Sequence, residues 1–315
     1  MKSSSDIYPV TLLRADVRGD LTEDVYLIKH NLDDDKSVQI AVTHLTLQGT
    51  PPTGKPVILN HGSFTNRGFW LSDKGIGLAR YLLEQGFDVW LYEQRGHGLS
   101  PRNQDYIANT LERYVLTDVV SVNTFVHEKT QQHPYWVGHS LGGVIIASAV
   151  AAGILNSENC AGQVLLGTQA LRRPWYLWLP LLSGFLQLVV HQKGELDGRK
   201  LRIGPENEPA GLINEYIKRH SWFGHWQLRS TRQRLLPLWR AAQVPLFSIA
   251  AAADTSDPAK HCERFYKQYG GADKTFLLLS TDAGFSHAFG HVDMVVSKAA
   301  AEEVWPRIAD WLNEH

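Results

Sequence analysis

Residues 135–149, with the sequence Tyr-Trp-Val-Gly-His-Ser-Leu-Gly-Gly-Val-Ile-Ile-Ala-Ser-Ala, decide the fold of this chain. The apolar residues before Gly138 predict a buried strand, and the apolar run after Gly142 predicts a helix. Ser140 stands midway between these two glycines, in a tight turn where a side chain at either glycine position would clash. The turn aims the N-terminus of the helix at the oxyanion that would form after attack by the serine. This arrangement predicts that Ser140 is a nucleophile.

Short apolar runs alternate with helix-length amphipathic segments on both sides of this turn. The runs span residues 56–60, 88–92, 135–138, 164–167, 245–250 and 275–279. Strands that are apolar throughout are typical of a parallel sheet whose two faces are covered by crossover helices. Residues 25–28 and 40–47 predict an antiparallel hairpin before the first of these runs. The sequence therefore predicts an α/β fold with a mostly parallel central sheet, an N-terminal antiparallel hairpin and helices on both faces.

One long segment breaks the alternation. Residues 171–240 contain no clear buried strand and are rich in Trp, Leu, Arg and Gly. We interpret this segment as a helical cap insertion over one end of the sheet, and residues 1–170 and 241–315 as the core. Among the core helices, residues 118–129 are expected to begin at an N-cap formed by Thr117 or Asp118.

Composition and charge exclude several classes of protein. The 315 residues include 31 Lys and Arg against 32 Asp and Glu, a formal net charge of −1, so no nucleic-acid partner is expected. No apolar stretch is long enough for a transmembrane helix, and residues 1–10 lack the apolar region of a secretory signal, so a cytoplasmic location is expected. Cys160 and Cys262 are expected to be free thiols, with a single disulfide as the alternative. Composition does not determine the oligomeric state.

A serine nucleophile needs a base and a carboxylate that orients the base. In a strand–turn–helix arrangement of this kind the acid and then the histidine follow the serine along the chain. Asp254 ends an apolar run and is the preferred acid, while Asp257, three residues later in the loop, is the alternative. His291 is the preferred base because Gly290 allows close approach, and His287 is the alternative.

Two backbone N–H groups are expected to form the oxyanion hole. One belongs to Leu141, the residue that follows the nucleophile. The other belongs to the loop after the run 56–60, with Ser63 as the preferred donor and Phe64 as the alternative.

Five motifs together resemble the α/β-hydrolase superfamily in their order and spacing. They are Asn-His-Gly at 60–62, Gly-Phe-Asp-Val-Trp-Leu at 86–91, Arg-Gly-His-Gly-Leu-Ser at 95–100, Gly-His-Ser-Leu-Gly-Gly at 138–143 and Gly-His-Val-Asp at 290–293. The combination is similar to the acid-lipase-like branch and to the serine aminopeptidase and monoacylglycerol-lipase-like branch. The resemblance implies an α/β-hydrolase fold and a serine hydrolase mechanism. It also implies a structural role for Arg95, held by a nearby carboxylate such as Glu93.

Ester hydrolysis through an acyl-enzyme is the preferred function, with a small apolar ester as substrate. Phe64, His139, Trp175 and Trp178 are candidate substrate contacts, the two tryptophans because a Trp- and Leu-rich segment can line an apolar pocket. The mechanism requires no cofactor and no metal, and no cluster with metal-ligand spacing is present.

Other functions use the same scaffold. The bond could be an amide or peptide, a thioester or a carbon–carbon bond, and a silent hydrolase-like binding module is the alternative outside catalysis. An aminopeptidase would need acidic groups to bind the substrate amine. The candidates in the cap are Glu195, Asp197, Glu206, Glu208 and Glu215.

Overall fold

The apolar runs of the sequence form the strands of one large sheet. A computed structural model describes residues 5–49 and 54–315. The strands are β1 (Val10–Arg18), β2 (Leu21–Ile28), β3 (Ile40–Leu47), β4 (Pro56–Asn60), β5 (Asp88–Glu93), β6 (Tyr135–His139), β7 (Gly162–Leu166), β8 (Glu195–Asp197), β9 (Asn207–Pro209), β10 (Leu246–Ala251) and β11 (Lys274–Leu279). Within the described residues, nine of them form a sheet in the order β1-β2-β3-β5-β4-β6-β7-β10-β11, and β8 pairs only with β9.

The pairing of the strands changes once across the sheet, from antiparallel to parallel at β5. Strands β1, β2, β3 and β5 pair in antiparallel fashion, and every pair from β5 to β11 is parallel. Strands β4, β5, β6 and β7 are buried at every residue, as expected for parallel strands covered on both faces. The chain therefore has the predicted mostly parallel sheet with an N-terminal antiparallel hairpin. Strand β1, which extends that hairpin, was not predicted.

Helices cover both faces of this sheet. They are α1 (Leu78–Glu84), α2 (Leu111–Arg113), α3 (Val119–Thr130), α4 (Leu141–Ala151), α5 (Pro180–Lys193), α6 (Gly198–Leu201), α7 (Ala210–His220), α8 (Leu235–Trp239), α9 (Ala259–Lys267), α10 (Asp293–Val296), α11 (Lys298–Glu303) and α12 (Trp305–Glu314). One apolar cluster contains residues of α3, α4, α8 and α9, and a second contains residues of α1, α11 and α12. The parallel strands are thus packed between two cores.

The helix predicted at residues 118–129 begins earlier than expected. Thr110 is the N-cap, and its side chain accepts a hydrogen bond from the N–H of Arg113. The chain then continues through a π-helical turn, Tyr114–Asp118, into α3. The expectation of an N-cap at Thr117 or Asp118 is wrong, because Asp118 lies inside the helix and its carboxylate binds Arg95 instead.

Arg95 belongs to a buried ion cluster that joins the N-terminal hairpin to the core. Its Nε donates to Asp118 Oδ2 at 2.9 Å, and its Nη1 donates to Asp33 Oδ2 at 2.7 Å. Arg95 and Asp118 are fully buried. The structural role implied by the resemblance fits this placement, but the expected partner was wrong. Glu93 instead accepts hydrogen bonds from the N–H groups of Arg67 and Leu99.

Residues 171–240 are mostly helical, with a short two-stranded hairpin. Helices α5 and α7 pack on each other through Val190, Ala210 and Ile217, and Leu177, just before α5, joins this cluster. The last helix of the segment, α8, packs against α4, and Trp239 stacks on Phe265 of α9 at 5.0 Å. We refer to this segment as the proposed cap.

Candidate active site

Ser140 occupies the turn between β6 and α4 with a backbone conformation that non-glycine residues rarely adopt. Its φ is 53° and its ψ is −117°, a strained conformation that persists only when the surroundings impose it. A Cβ atom on Gly142 would lie 2.2 Å from the carbonyl oxygen of Asn60. The glycine therefore allows the first turn of α4 to approach the end of β4, which brings Ser140 to the carboxyl edge of the sheet.

Asp254 and His291 form a hydrogen-bonded pair at the same edge. His291 Nδ1 lies 2.7 Å from Asp254 Oδ2. The other carboxylate oxygen, Oδ1, accepts from the N–H groups of Ser256 and Asp257 at 2.8 Å each. Both oxygens are therefore held in place, and the Asp254 side chain is fully buried.

The two groups shift each other's protonation. Burial lowers the pKa of His291, but the hydrogen bond and the charge of Asp254 outweigh burial and leave that pKa above its ordinary value. Burial raises the pKa of Asp254, but the hydrogen bond and charge of His291 hold it below its ordinary value. Asp254 is thus an anion at neutral pH, and it makes His291 a stronger base, as an orienting acid should.

His139 packs against the ring and the main chain of His291. Its Nε2 donates to the carbonyl oxygen of His291 at 2.8 Å, and its ring lies 4.5 Å from the rings of both Phe69 and His291. Burial lowers the pKa of His139 to about 3, so it stays neutral. This buried residue was predicted to contact substrate, and its placement favours positioning the His291 main chain instead.

Asp257 contacts Ser140 rather than His291. Ser140 Oγ donates to Asp257 Oδ2 at 3.4 Å, and Gln169 Nε2 donates to Asp257 Oδ1 at 2.7 Å. Burial raises the pKa of Asp257, despite the hydrogen bond from Gln169. Sequence reasoning did not find Gln169; its only signal was its place just after the strand that ends at Leu166.

The two loops expected to supply the oxyanion hole meet beside Ser140. A Cβ on Gly62 would lie 3.3 Å from Ser140 Cβ, so the loop after β4 passes directly by Ser140. The N–H of Phe64, the alternative donor, is already bound to Glu208 Oε1 at 2.8 Å. Among the described residues, the N–H groups of Ser63 and Leu141 have no hydrogen-bond acceptor. Both remain available for an oxyanion.

The other predicted residues lie further out. His287 binds Ser286 Oγ at 3.0 Å and faces Asp293 at 3.6 Å, so the structure does not bring it to Asp254. Trp175 and Trp178 lie at the outer surface of the proposed cap, 75% and 40% exposed.

The part of the chain that the structure describes shows neither a metal site nor a membrane-spanning helix. No group of three or more His, Cys, Asp or Glu side chains there is arranged to hold a metal ion. No helix in residues 5–49 and 54–315 combines the length and apolar character needed to cross a membrane. Cys160 and Cys262 are both buried free thiols.

The chain is similar to known proteins in sequence and in fold. A family model described as the alpha/beta hydrolase fold matches residues 55–201. A tear acid lipase-like protein of Mesocricetus auratus is 30% identical over 138 residues, which cover 41% of this chain and 33% of the relative. The match thus spans about a third of that curated relative.

Solved structures match over nearly the whole chain. A monoacylglycerol lipase from Paleococcus ferrophilus has a TM-score of 0.58 at 17% identity and covers 88% of this chain and 99% of its own. An esterase from Thermogutta terrifontis has a TM-score of 0.62 at 16% identity, and the match covers 92% of this chain and 98% of the esterase. This chain therefore has the α/β-hydrolase fold. In sequence it is similar to lipases over part of their length.

Proposed function

We propose that this protein is a serine hydrolase that cleaves a carboxylic ester with an apolar acyl group through an acyl-enzyme. The observation that carries the proposal is the 2.7 Å contact between His291 Nδ1 and Asp254 Oδ2 at the edge of the sheet that bears Ser140. A histidine whose Nδ1 is fixed by a buried carboxylate presents Nε2 as a base. The sequence similarity to lipases supports an ester as the substrate.

Each group has a defined part in the proposed reaction. Ser140 Oγ attacks the ester carbonyl carbon while His291 Nε2 takes its proton, and Asp254 stabilises the imidazolium that forms. The N–H groups of Leu141 and Ser63 hold the oxyanion. His291 then protonates the leaving alcohol. Water, deprotonated by His291, attacks the acyl-enzyme, and His291 returns this proton to Ser140 Oγ as the acid is released. For the first step the Ser140 hydroxyl must turn from Asp257 to His291, as is common when no substrate is bound.

The exposed aromatic surface of the proposed cap supports an apolar acyl group. Trp175 and Phe185 are exposed by 75% and 60%, and Trp178 packs against Trp222 at 5.4 Å. Apolar patches of this kind occur at ligand grooves and interaction sites.

The acidic side chains of the proposed cap disfavour an aminopeptidase. Each of the five carboxylates that could have bound a substrate amine already has a partner within the described chain: Glu195 with Arg102, Asp197 with Lys200, Glu206 with Asn66, Glu208 with the Phe64 N–H and Glu215 with the Leu111 N–H. An amine-binding acid would be expected to lack such a partner.

Covalent labelling tests the proposal directly. A fluorophosphonate probe should label the wild type and should not label Ser140→Ala, whereas Ser157→Ala, at an exposed serine, should be labelled as the wild type is. Equal labelling of the Ser140→Ala variant would overturn the assignment. Hydrolysis of p-nitrophenyl esters of graded chain length, compared with amino-acid p-nitroanilides, then separates ester from amide cleavage.

A further inference from the structure

Six arginine side chains line one cavity of about 510 Å³ where the proposed cap meets the core. We call it the arginine cavity; its arginines are Arg172, Arg173, Arg219, Arg234, Arg240 and Arg264. They come from distant parts of the chain: the segment after β7, helix α7, both ends of α8 and helix α9. The net charge of the whole chain is only −1, so this concentration of positive charge is local.

In the described residues, no carboxylate contacts these guanidinium groups directly. No Asp or Glu lines the cavity, and among the described residues none of the six arginines forms an ion pair within 4.0 Å. Their recorded partners are neutral. Arg173 donates to the carbonyl oxygen of Gly224 at 3.2 Å, and Arg240 donates to the side-chain amide of Gln268 at 3.0 Å. By contrast, the buried guanidinium of Arg95 forms an ion pair with the carboxylate of Asp118.

Among the six arginines, Arg219 shows the lack of an anionic partner most clearly. Its side chain is partly buried, and its Nη1 is shielded from solvent without a hydrogen-bond partner in the described residues. Glu215, on the same helix, acts on Arg219 only through its charge, because its carboxylate accepts from the N–H of Leu111 at 2.8 Å. A charged donor that is shielded from water destabilises the fold unless it is paired, and a bound anion would supply the missing partner.

The charge of these arginines also acts on two histidines, His225 in the cavity wall and His220 beside Arg219. Burial and then the charges of Arg234 and Arg173 lower the pKa of His225, which lines the cavity. Burial and then the charges of Arg219, Arg172 and Arg173 lower the pKa of His220 to about 3. Both histidines are therefore neutral at physiological pH, and the arginines alone supply the positive charge.

We propose that the arginine cavity binds the phosphate groups of a phosphate-bearing ligand with the charge of a diphosphate. A single carboxylate could neutralise only one of six guanidinium groups. Phosphate offers several charged oxygens, and the planar guanidinium fork matches two of them at once. The cavity volume is that of a small-molecule site, which excludes an extended polyanion.

The cavity adjoins the candidate active site. The N–H of Arg172 donates to Gln169 Oε1 at 2.7 Å, and Gln169 Nε2 donates to Asp257 Oδ1 at 2.7 Å. Asp257 in turn accepts from Ser140 Oγ. A phosphate group in the cavity would therefore lie two side chains away from the nucleophile. The binding site itself does not depend on the proposed hydrolase activity.

Calorimetric titration with inorganic pyrophosphate tests the site on the full chain. The wild type should bind one pyrophosphate, more tightly than orthophosphate and more weakly as salt is raised. Arg219→Met and Arg234→Met should each weaken binding by about tenfold or more, because each removes a charged hydrogen-bond donor. Arg307→Met, at an exposed arginine outside the cavity, should bind as the wild type does. Unchanged binding in both cavity variants would overturn the proposal.

Thermal unfolding and vesicle binding complete the test. Pyrophosphate should raise the Tm of the wild type but not that of Arg219→Met. Without ligand, Arg219→Met should have an unchanged or higher Tm, because it removes a charged group whose Nη1 has no hydrogen-bond partner in the described residues. Arg234→Met, at an exposed side chain, provides the same test if Arg219→Met does not fold. Phosphatidylcholine vesicles with and without phosphatidic acid test whether a lipid headgroup supplies the phosphate. A lipid headgroup is the source if the wild type binds vesicles with phosphatidic acid but not pyrophosphate, and if Arg219→Met abolishes the binding to vesicles. No binding of either probe to the wild type would overturn the site.

Discussion

Asp254 and Asp257 lie three residues apart in one loop, yet their carboxylates meet different partners. Asp254 binds the imidazole of His291, while Asp257 binds the hydroxyl of Ser140 and the amide of Gln169. The difference between the two carboxylates rests on single hydrogen bonds. The same substitution should therefore have different effects on activity at the two positions.

Asp254→Asn should lower kcat/KM for an ester substrate by about 1,000-fold or more, because an amide cannot hold His291 in the required tautomer. Asp257→Asn should change kcat/KM by less than about tenfold, since the base and its orienting acid are untouched. Steady-state kinetics on a p-nitrophenyl ester measures both. The reverse ranking of the two variants would make Asp257 the orienting acid.

The pH dependence of kcat/KM should report His291. The base must be neutral, so activity should fall as the pH drops through the pKa of this residue in the free enzyme. Asp254 raises that pKa against the effect of burial, so the inflection should lie above 6.5. In the residual activity of Asp254→Asn the inflection should move to lower pH. Asp282→Asn, at an exposed carboxylate, is the control, and an equal displacement in both variants would contradict the assignment.

At the level of elements, the contact between β4 and α4 fixes the turn around Ser140. The carbonyl oxygens of Asn60 and His61 approach Gly142 so closely that no side chain fits between them. The N-terminus of α4 and the loop that carries Ser63 are thereby set against each other, and their relative position determines whether the two proposed oxyanion donors converge.

Gly142→Ala should lower the free energy of unfolding by about 1–3 kcal/mol, because the added methyl group meets closely packed backbone. The rate of ester hydrolysis should fall by more than this loss of stability explains, because α4 must move away from the loop that carries Ser63. Urea denaturation and kinetics on the folded variant measure the two effects. Gly184→Ala, in a helix where a Cβ would meet nothing within 4 Å, should be neutral or stabilising. Wild-type activity in Gly142→Ala would show that the contact is not needed.

Much of this arrangement could be predicted from sequence, and the failures have physical reasons. Buried parallel strands are apolar throughout, so β4, β5, β6 and β7 were recognisable. Strand β1 was not, because it is largely exposed and lacks such a run. The early start of the helix before α3 was hidden because Asp118 is a good N-cap residue by type, while its actual partner, Arg95, is distant in sequence.

The candidate site likewise contains residues that the sequence could predict and residues that it could not. Ser140, Asp254 and His291 each follow a strand or a glycine-rich turn, and such local signals can be read along the chain. Gln169 and the arginine cavity depend on contacts between segments that are far apart in sequence. No local pattern encodes such contacts, so only the folded chain reveals them.

At the scale of the whole molecule, the ion cluster around Arg95 joins the N-terminal hairpin to the core. Against the effect of burial, the charge and hydrogen bonds of Arg95 hold the pKa values of Asp33 and Asp118 below the ordinary value. Carboxylates with lowered pKa values stabilise the folded state above their unfolded-state pKa, and the stabilisation is lost as the pH falls through the lowered values.

Asp33→Ala should therefore lower the free energy of unfolding at neutral pH by about 3–5 kcal/mol, because it leaves a buried charge without one of its partners. Asp34→Ala, at the neighbouring exposed carboxylate, should change it by less than about 0.5 kcal/mol. Guanidinium denaturation at pH 7 measures both. Equal, small effects would show that the hairpin is held by apolar packing alone.

The backbone of Ser140 also has a consequence for laboratory evolution. Glycine adopts a φ of 53° without strain, so Ser140→Gly should be more stable to urea than Ser140→Ala by about 1 kcal/mol or more. A library randomised at this codon and sorted only for resistance to proteolysis should enrich glycine. The same library sorted for ester turnover should retain serine, so the two selections would drive position 140 in opposite directions.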